Sequence, residues 1–160
     1  MRKKNINKVF LELFKAYSCS RKRFIEVLVD DGFDPAEVEK VVDSYNIDWN
    51  EQALRAAELY LDIMPFSYDK LVKQLEYEGF THDQALYAVD NCDADWVENA
   101  IIRAREYAKL RPFSRDGMVK QLEYAGFYPE QAKYAVEYCG VAWDDDGEQK
   151  FIEKILGGVA

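Results

Sequence analysis

A chain of 160 residues, of which 49% are hydrophobic and 14% aromatic, is large and apolar enough to fold around its own core, which excludes intrinsic disorder. The net charge of −9 is unevenly placed, because residues 1–23 carry +7 and the other 137 residues therefore sum to −16. An acidic body repels nucleic acids and anionic lipids, and the apolar runs are too short to span a membrane, so we expect neither a nucleic-acid partner nor a membrane span.

A repeat of 47 residues organises the chain. Its markers are three Gly-Phe pairs and three tryptophans, namely Gly32-Phe33, Gly79-Phe80, Gly126-Phe127, Trp49, Trp96 and Trp143. Residues 60–96 and 107–143 are identical at 20 of 37 positions. A fixed period of this length predicts tandem supersecondary units. We predict a divergent first repeat over residues 1–47, a second over 48–94, a third over 95–141, and a C-terminal capping helix over 142–160.

Each repeat is predicted to contain three helices, and the third repeat has the clearest signals. Asp95 is the expected N-cap of the first helix and Ser114 that of the second. Gly126 ends the second helix in a left-handed conformation, and Pro129 opens the third helix. No stretch alternates with the period of two that is typical of a strand. The predicted fold is all-α, a tandem array of three three-helix, helix-turn-helix-like repeats.

Small residues occupy one face of the last helix in the second and third repeats. They are Ala85, Ala88, Val89 and Cys92, and Ala132, Ala135, Val136 and Cys139. We expect this face to be buried, with the cysteines as small core residues and not as a disulfide pair. The three tryptophans and the three Gly-Phe pairs are assigned structural roles.

The sequence contains few candidates for catalytic or metal-binding residues. His82 is the only histidine, and it lies at a helix start without a repeated cysteine or carboxylate partner. The spacing of Asp144, Gly147 and Glu153 resembles a calcium loop, but Ala142 stands where the first carboxylate ligand belongs. We therefore predict no catalytic, cofactor-binding or metal-binding residues, and a protein that is not an enzyme.

Several polar and aromatic residues lie off the buried faces of the short helices. They are Lys73, Glu76, Tyr77 and Tyr87 in the second repeat, and Lys120, Glu123, Tyr124 and Tyr134 in the third. Two interpretations remain open. These side chains either pack one repeat against the next, or form an amphipathic aromatic surface that binds a protein partner.

The segment 66–80, FSYDKLVKQLEYEGF, followed by Ala85, Tyr87-Ala88-Val89-Asp90 and Asp95-Trp96, resembles the Ltp repeat of host cell surface-exposed lipoproteins of Gram-positive bacteria and their phages. The resemblance covers residues 49–143, and the first repeat matches only in outline. It implies a non-enzymatic role in superinfection exclusion, with a phage component such as the tape measure protein as partner. It also implies a location on the outer face of a Gram-positive membrane if a leader has been removed, and a cytoplasmic location otherwise.

Other functional classes remain open. The Gly-Phe loop between short helices resembles the ubiquitin-associated three-helix fold, but Glu78 and Ala125 replace the methionine of its binding loop, and a likeness of shape gives no function. A cytosolic inhibitor whose acidic body mimics nucleic acid and blocks a nucleic-acid enzyme is one alternative. A helix-turn-helix DNA-binding regulator is another, although Lys133 is the only basic residue in its candidate reading helices, residues 81–92 and 128–139.

Overall fold

The computed structural model describes residues 5–144 and 146–149, and over these residues the chain forms nine α-helices and no strand. The helices follow one another in three groups of three. They are α1 Ile6–Ala16, α2 Arg21–Asp30, α3 Pro35–Ser44, α4 Trp49–Ile63, α5 Tyr68–Tyr77, α6 His82–Asn91, α7 Trp96–Leu110, α8 Arg115–Tyr124 and α9 Pro129–Tyr138. The predicted all-α repeat fold is confirmed. Within the described ranges, no helix combines the length and the apolar character needed to cross a lipid bilayer.

The helix starts follow from side-chain capping. Asp95 accepts hydrogen bonds from the backbone N–H groups of Val97 and Glu98, and Ser114 accepts one from Gly117. Other side chains that precede a helix and accept from its first turn are those of Asn5, Ser20, Asp34, Asp48, Ser67 and Thr81. Each such bond satisfies a backbone donor that has no partner within the helix. The predicted starts at Asp95, Ser114 and Pro129 are confirmed.

Glycines end the second helix of each repeat. Gly32, Gly79 and Gly126 have φ angles of 95°, 91° and 91°, a left-handed conformation that costs glycine little. The phenylalanine after each glycine donates its N–H back to a leucine carbonyl five residues earlier, as Phe80 does to Leu75 at 3.1 Å. This bond closes the helix end and turns the chain toward the third helix.

The spatial contacts divide the chain into two compact units. Unit one comprises residues 5–63 and 71–94, and unit two comprises residues 64–70, 95–144 and 146–149. One core of unit one is built from α1–α3, with the buried residues Ile6, Phe10, Phe24, Leu28, Val38 and Val42. The core of unit two is built from α7–α9, with Ile101, Phe113, Met118, Leu122, Phe127 and Val136 among its buried residues.

The small-residue face of the last helix is buried in both units, as predicted. In unit one, Ala85, Ala88 and Val89 are at most 2% exposed. In unit two, Ala132, Ala135 and Val136 are at most 1% exposed. Small side chains let this helix approach the long helix closely. Cys92 and Cys139 are buried free thiols, which confirms their assignment to the core.

Two buried serines join neighbouring repeats. Ser20 Oγ donates a hydrogen bond to the carbonyl oxygen of Glu78 at 2.7 Å, and Ser67 Oγ donates to that of Ala125 at 2.8 Å, each across 58 residues of sequence. The serines are 0% and 1% exposed. Each hydroxyl also accepts an N–H from the first turn of its own helix. We call each of these serine-to-carbonyl bonds a serine joint.

The serine joints require glycine as the next residue after the accepting carbonyl. A Cβ atom on Gly79 would lie 2.8 Å from Ser20 Oγ, and one on Gly126 would lie 2.6 Å from Ser67 Oγ. No atom lies within 4 Å of the corresponding position at Gly32. Gly79 and Gly126 are therefore constrained by close approach as well as by φ, whereas Gly32 is constrained by φ alone.

The aromatic residues given structural roles are buried to different degrees. Phe80 and Phe127 are 4% and 3% exposed. Phe33 and the three tryptophans, Trp49, Trp96 and Trp143, are half-buried. The rings of Trp49 and Trp96 lie 6.2 Å and 5.5 Å from those of Phe24 and Tyr68, respectively. Substitution of these tryptophans would therefore remove less buried surface than a fully enclosed indole provides.

Most of the predicted C-terminal helix, residues 142–160, lies outside the described residues. Within the part described, Gln149 closes the end of unit two: its N–H donates to the Phe113 carbonyl at 2.9 Å, and its side-chain amide donates to the Ala108 carbonyl at 3.1 Å. Asp144 Oδ1 accepts the N–H groups of Asp146 and Glu148 at 3.0 and 2.8 Å. This carboxylate oxygen thus holds a local turn.

Candidate functional site

The candidate site is the set of side chains predicted to lie off the buried faces of α5, α6, α8 and α9, and we call it the tyrosine surface. Its members are Lys73, Glu76, Tyr77 and Tyr87 in unit one and Lys120, Glu123, Tyr124 and Tyr134 in unit two. All eight are exposed. The structure therefore exposes four members in each unit, three on the second helix and one on the third helix of the repeat.

Helix geometry explains why these side chains point outward. In α5, Leu71, Val72 and Leu75 form the buried stripe, and Tyr77 follows two residues later, roughly 200° around the helix from Leu75. Tyr77 and Tyr124 are 86% and 80% exposed, while Tyr87 and Tyr134 are 41% and 48% exposed. A side chain with four-fifths of its surface exposed buries too little area to hold repeats together. The packing interpretation therefore does not fit Tyr77 and Tyr124.

In unit one the surface includes an unexpected pair. His82, which the sequence placed at a helix start without a partner, lies with its Nδ1 atom 2.7 Å from Oε1 of Glu76. Both side chains are exposed, at 63% and 38%. A surface pair of this kind stabilises the fold little, and it places the imidazole against the carboxylate of the residue before Tyr77.

In unit two the surface contains aromatic contacts. The Lys70 ammonium lies 6.0 Å from the centre of the Tyr124 ring, at the limit of a cation–π contact. Tyr134 stacks on Tyr138, with ring centres 4.3 Å apart and planes tilted by 28°. Tyr138 is 58% exposed and was missed from the sequence. Its spacing of four residues from Tyr134 places both on one helix face, which is the signal that would have identified it.

Exposed apolar residues also end the two long helices. Ile63 ends α4 and Leu110 ends α7, and they are 74% and 78% exposed. They occupy equivalent places in the 47-residue period. Sequence reasoning missed both, since an apolar residue in the last turn of an amphipathic helix is ordinarily assigned to the core.

A polar cluster lies between α4 and α5 within unit one. The Tyr60 hydroxyl donates to Glu78 Oε1 at 2.8 Å, and the Gln74 amide nitrogen lies 3.1 Å from the same oxygen and 3.2 Å from the Tyr60 hydroxyl. Burial, followed by the bond to Glu78, raises the pKa of Tyr60 above its ordinary value. The tyrosine therefore stays a neutral donor, and the carboxylate of Glu78 is held by two donors.

No metal site was found in the described residues, where no three or more histidine, cysteine, aspartate or glutamate side chains are arranged to hold an ion. The predicted absence of catalytic, cofactor and metal residues stays a prediction.

Comparison with known proteins identifies the family. The sequence model of host cell surface-exposed lipoproteins, Ltp, matches residues 48–92 and 95–138, which together make up more than half of the chain. Searches of curated proteins and of solved structures returned no match. The two matched segments correspond to the second and third repeats, from α4 to α6 and from α7 to α9. The chain therefore belongs to the host cell surface-exposed lipoprotein (Ltp) family.

Proposed function

We propose that this chain is a non-enzymatic protein-binding module of superinfection exclusion, which stops an incoming phage from delivering its DNA by binding a phage component such as the tape measure protein. Membership of the host cell surface-exposed lipoprotein family supports a role where an incoming phage meets its host. The observation that carries the proposal is the repetition of the tyrosine surface. The same lysine, glutamate and tyrosine are exposed on α5 and again on α8, 47 residues later.

The chemistry of this surface suits a protein partner. Tyr77 and Tyr124 each offer a large apolar ring with a hydroxyl, and immobilising a tyrosine costs little entropy because it has only two side-chain torsions. A lysine and a glutamate flank each ring, so both signs of charge are available for orienting a partner. Two copies on one chain also allow a partner with two matching segments to bind with avidity.

The first repeat lacks these side chains. Asp30 and Lys40 occupy the positions equivalent to Tyr77 and Tyr87. We expect this repeat to contribute little to binding and to act mainly as the N-terminal cap of the array.

The experiment compares phage infection of hosts that express the intact chain or variants of it. Tyr77→Ala combined with Tyr124→Ala should restore infection, because both anchors of the surface are removed. The free energy of unfolding should fall by less than about 1 kcal/mol per site, as for exposed substitutions. Phage adsorption and phage DNA entry are measured separately, and the intact chain should block entry without reducing adsorption.

Tyr17→Ala is the matched control, since it removes a tyrosine that is 60% exposed but lies outside the tyrosine surface. This variant should still block DNA entry. The proposal fails if the Tyr77 and Tyr124 variant excludes phage as well as the intact chain does. It also fails if the intact chain never reduces DNA entry for any phage of a broad panel.

A further inference from the structure

A groove of about 290 Å³ lies within unit two, between α7, α8 and the segment that leads into the first turn of α5. Tyr107 and Gln121 contribute polar groups to its wall, Lys70 and Arg103 contribute positive charge, and Tyr124 of the tyrosine surface lies on its lining. The groove is therefore continuous with the proposed binding surface.

The 47-residue period provides an internal comparison for this groove. The residues equivalent to Tyr107, Gln121 and Ala125 in the preceding repeat are Tyr60, Gln74 and Glu78. In that repeat the Glu78 carboxylate accepts the Tyr60 hydroxyl at 2.8 Å and the Gln74 amide at 3.1 Å. Both donors converge on one oxygen, Oε1. In unit one, a carboxylate thus accepts hydrogen bonds from the tyrosine and the glutamine that correspond to Tyr107 and Gln121.

Alanine at position 125 removes that carboxylate from unit two. The Tyr107 hydroxyl and the Gln121 amide make no hydrogen bond to any residue in the described part of the chain. The same pair of donors that holds Glu78 in one repeat thus has no acceptor among the described residues in the next. Both side chains are half-buried and line the groove, where a ligand can reach their polar groups.

The charge around the groove favours an anion. Lys70 has no carboxylate partner among the described residues, and its ammonium lies 6.0 Å from the Tyr124 ring centre. Arg103 is 21% exposed and donates to the Pro65 carbonyl at 3.2 Å and to Glu106 at 3.0 Å. Among the residues that the structure describes, the lining of the groove thus holds one unpaired lysine and one arginine that is paired with a glutamate. This local positive charge contrasts with the sum of −16 outside residues 1–23.

We infer that this groove binds the carboxylate of a glutamate side chain from the protein partner, with Tyr107 and Gln121 as donors and Lys70 as counter-charge. Glu78 is the internal stand-in for that ligand, because it occupies the equivalent place in the preceding repeat. The inference rests on the proposed function, since it names the chemistry by which the same surface recognises a protein. A charged acceptor strengthens both hydrogen bonds relative to a neutral amide, and so provides specificity.

The test uses the full chain and two blocked tripeptides, one with a central glutamate and one with glutamine, titrated while NMR follows the side-chain amide signals. The Gln121 signals should shift saturably with the glutamate peptide. The glutamine peptide should bind at least about tenfold more weakly, because it lacks the charge. Ala125→Glu supplies an internal carboxylate and should abolish the shift.

Matched variants keep the test decisive. Glu78→Ala should open the counterpart site, so that Gln74 signals respond to the glutamate peptide. Tyr107→Phe retains the ring packing and removes the hydroxyl, and it should weaken binding even if Ala125→Glu fails to fold. The inference is overturned by equal shifts with the two peptides, by no saturable shift up to about 10 mM peptide, or by tighter binding of a peptide that has only a C-terminal carboxylate.

The failure of this inference is distinguishable from failure of the proposed function. If the tyrosine variants restore infection but the groove does not bind the glutamate peptide, the groove assignment alone is wrong. If the groove binds glutamate but the intact chain never blocks DNA entry, the proposed biological role alone is wrong.

Discussion

Replacing Ser20 with alanine tests the serine joint in unit one. The Ser20 hydroxyl accepts the Arg23 N–H at 3.1 Å and donates to the Glu78 carbonyl at 2.7 Å, and the residue is 0% exposed. Ser20→Ala therefore removes a helix cap and leaves the carbonyl of another repeat without its donor.

The expected loss has two parts. Removal of a serine N-cap costs about 0.5–2 kcal/mol. A carbonyl deprived of its donor in a partly buried place adds about 1–3 kcal/mol. Because the Glu78 carbonyl is only partly buried, we expect the free energy of unfolding to fall by about 2–3 kcal/mol in total.

Ser114→Ala is the matched control. Ser114 occupies the equivalent place in the third repeat and accepts the Gly117 N–H at 3.0 Å, but its hydroxyl donates to no acceptor among the described residues. Its loss should therefore be that of a cap alone, about 1 kcal/mol. Urea unfolding followed by far-UV circular dichroism measures the free energy of unfolding of both variants. The two values are compared when the slope of this free energy against urea concentration is the same as for the intact chain. Equal losses for the two serines would refute the energetic role of the serine joint.

Two further predictions follow from named contacts. Gly32→Ala should lower the free energy of unfolding in urea by about 1–2 kcal/mol, because alanine is strained in the left-handed conformation. Gly79→Ala and Gly126→Ala should lower it further, because their added Cβ atoms would lie 2.8 and 2.6 Å from a buried serine oxygen. Three equal losses would contradict this. The bidentate hydrogen bond from Arg21 lowers the pKa of Asp43 in the folded protein. The stability that this bond adds is therefore present above the unfolded pKa of about 3.9 and is lost as pH falls through the lower folded value. Because both side chains are exposed, Asp43→Asn should cost at most about 1 kcal/mol at pH 7 and progressively less below about pH 4, and a difference that does not change with pH would contradict the assignment.

Local signals in the sequence were sufficient to predict the fold. N-cap side chains, left-handed glycines and the proline that begins α9 act within one or two turns of the chain, so Asp95, Ser114 and Gly126 fix helix bounds without reference to distant residues. The same holds for the exposed tyrosines, since helical spacing from the buried leucines decides which face they occupy.

Contacts between distant residues were not predictable in this way. The 47-residue period identifies which residues are equivalent, but it does not say that Ser20 bonds to Glu78, which lies 58 residues away. The Glu76–His82 pair depends on the angle of the turn between α5 and α6, which no motif specifies. The groove beside Ala125 appears as a site only when its surroundings are compared with those of Glu78.

The serine joints give the array a direction. Each joint takes its donor from the earlier repeat and its acceptor from the later one, so the bonded faces are different and the contact is head-to-tail. Such a contact does not close on itself, and any repeat that keeps the serine and the glycine carries both halves of it. A duplicated 47-residue segment placed between the second and third repeats would meet a matching donor on one side and a matching acceptor on the other. Gene duplication in whole periods is therefore a route by which such a chain lengthens without a new interface.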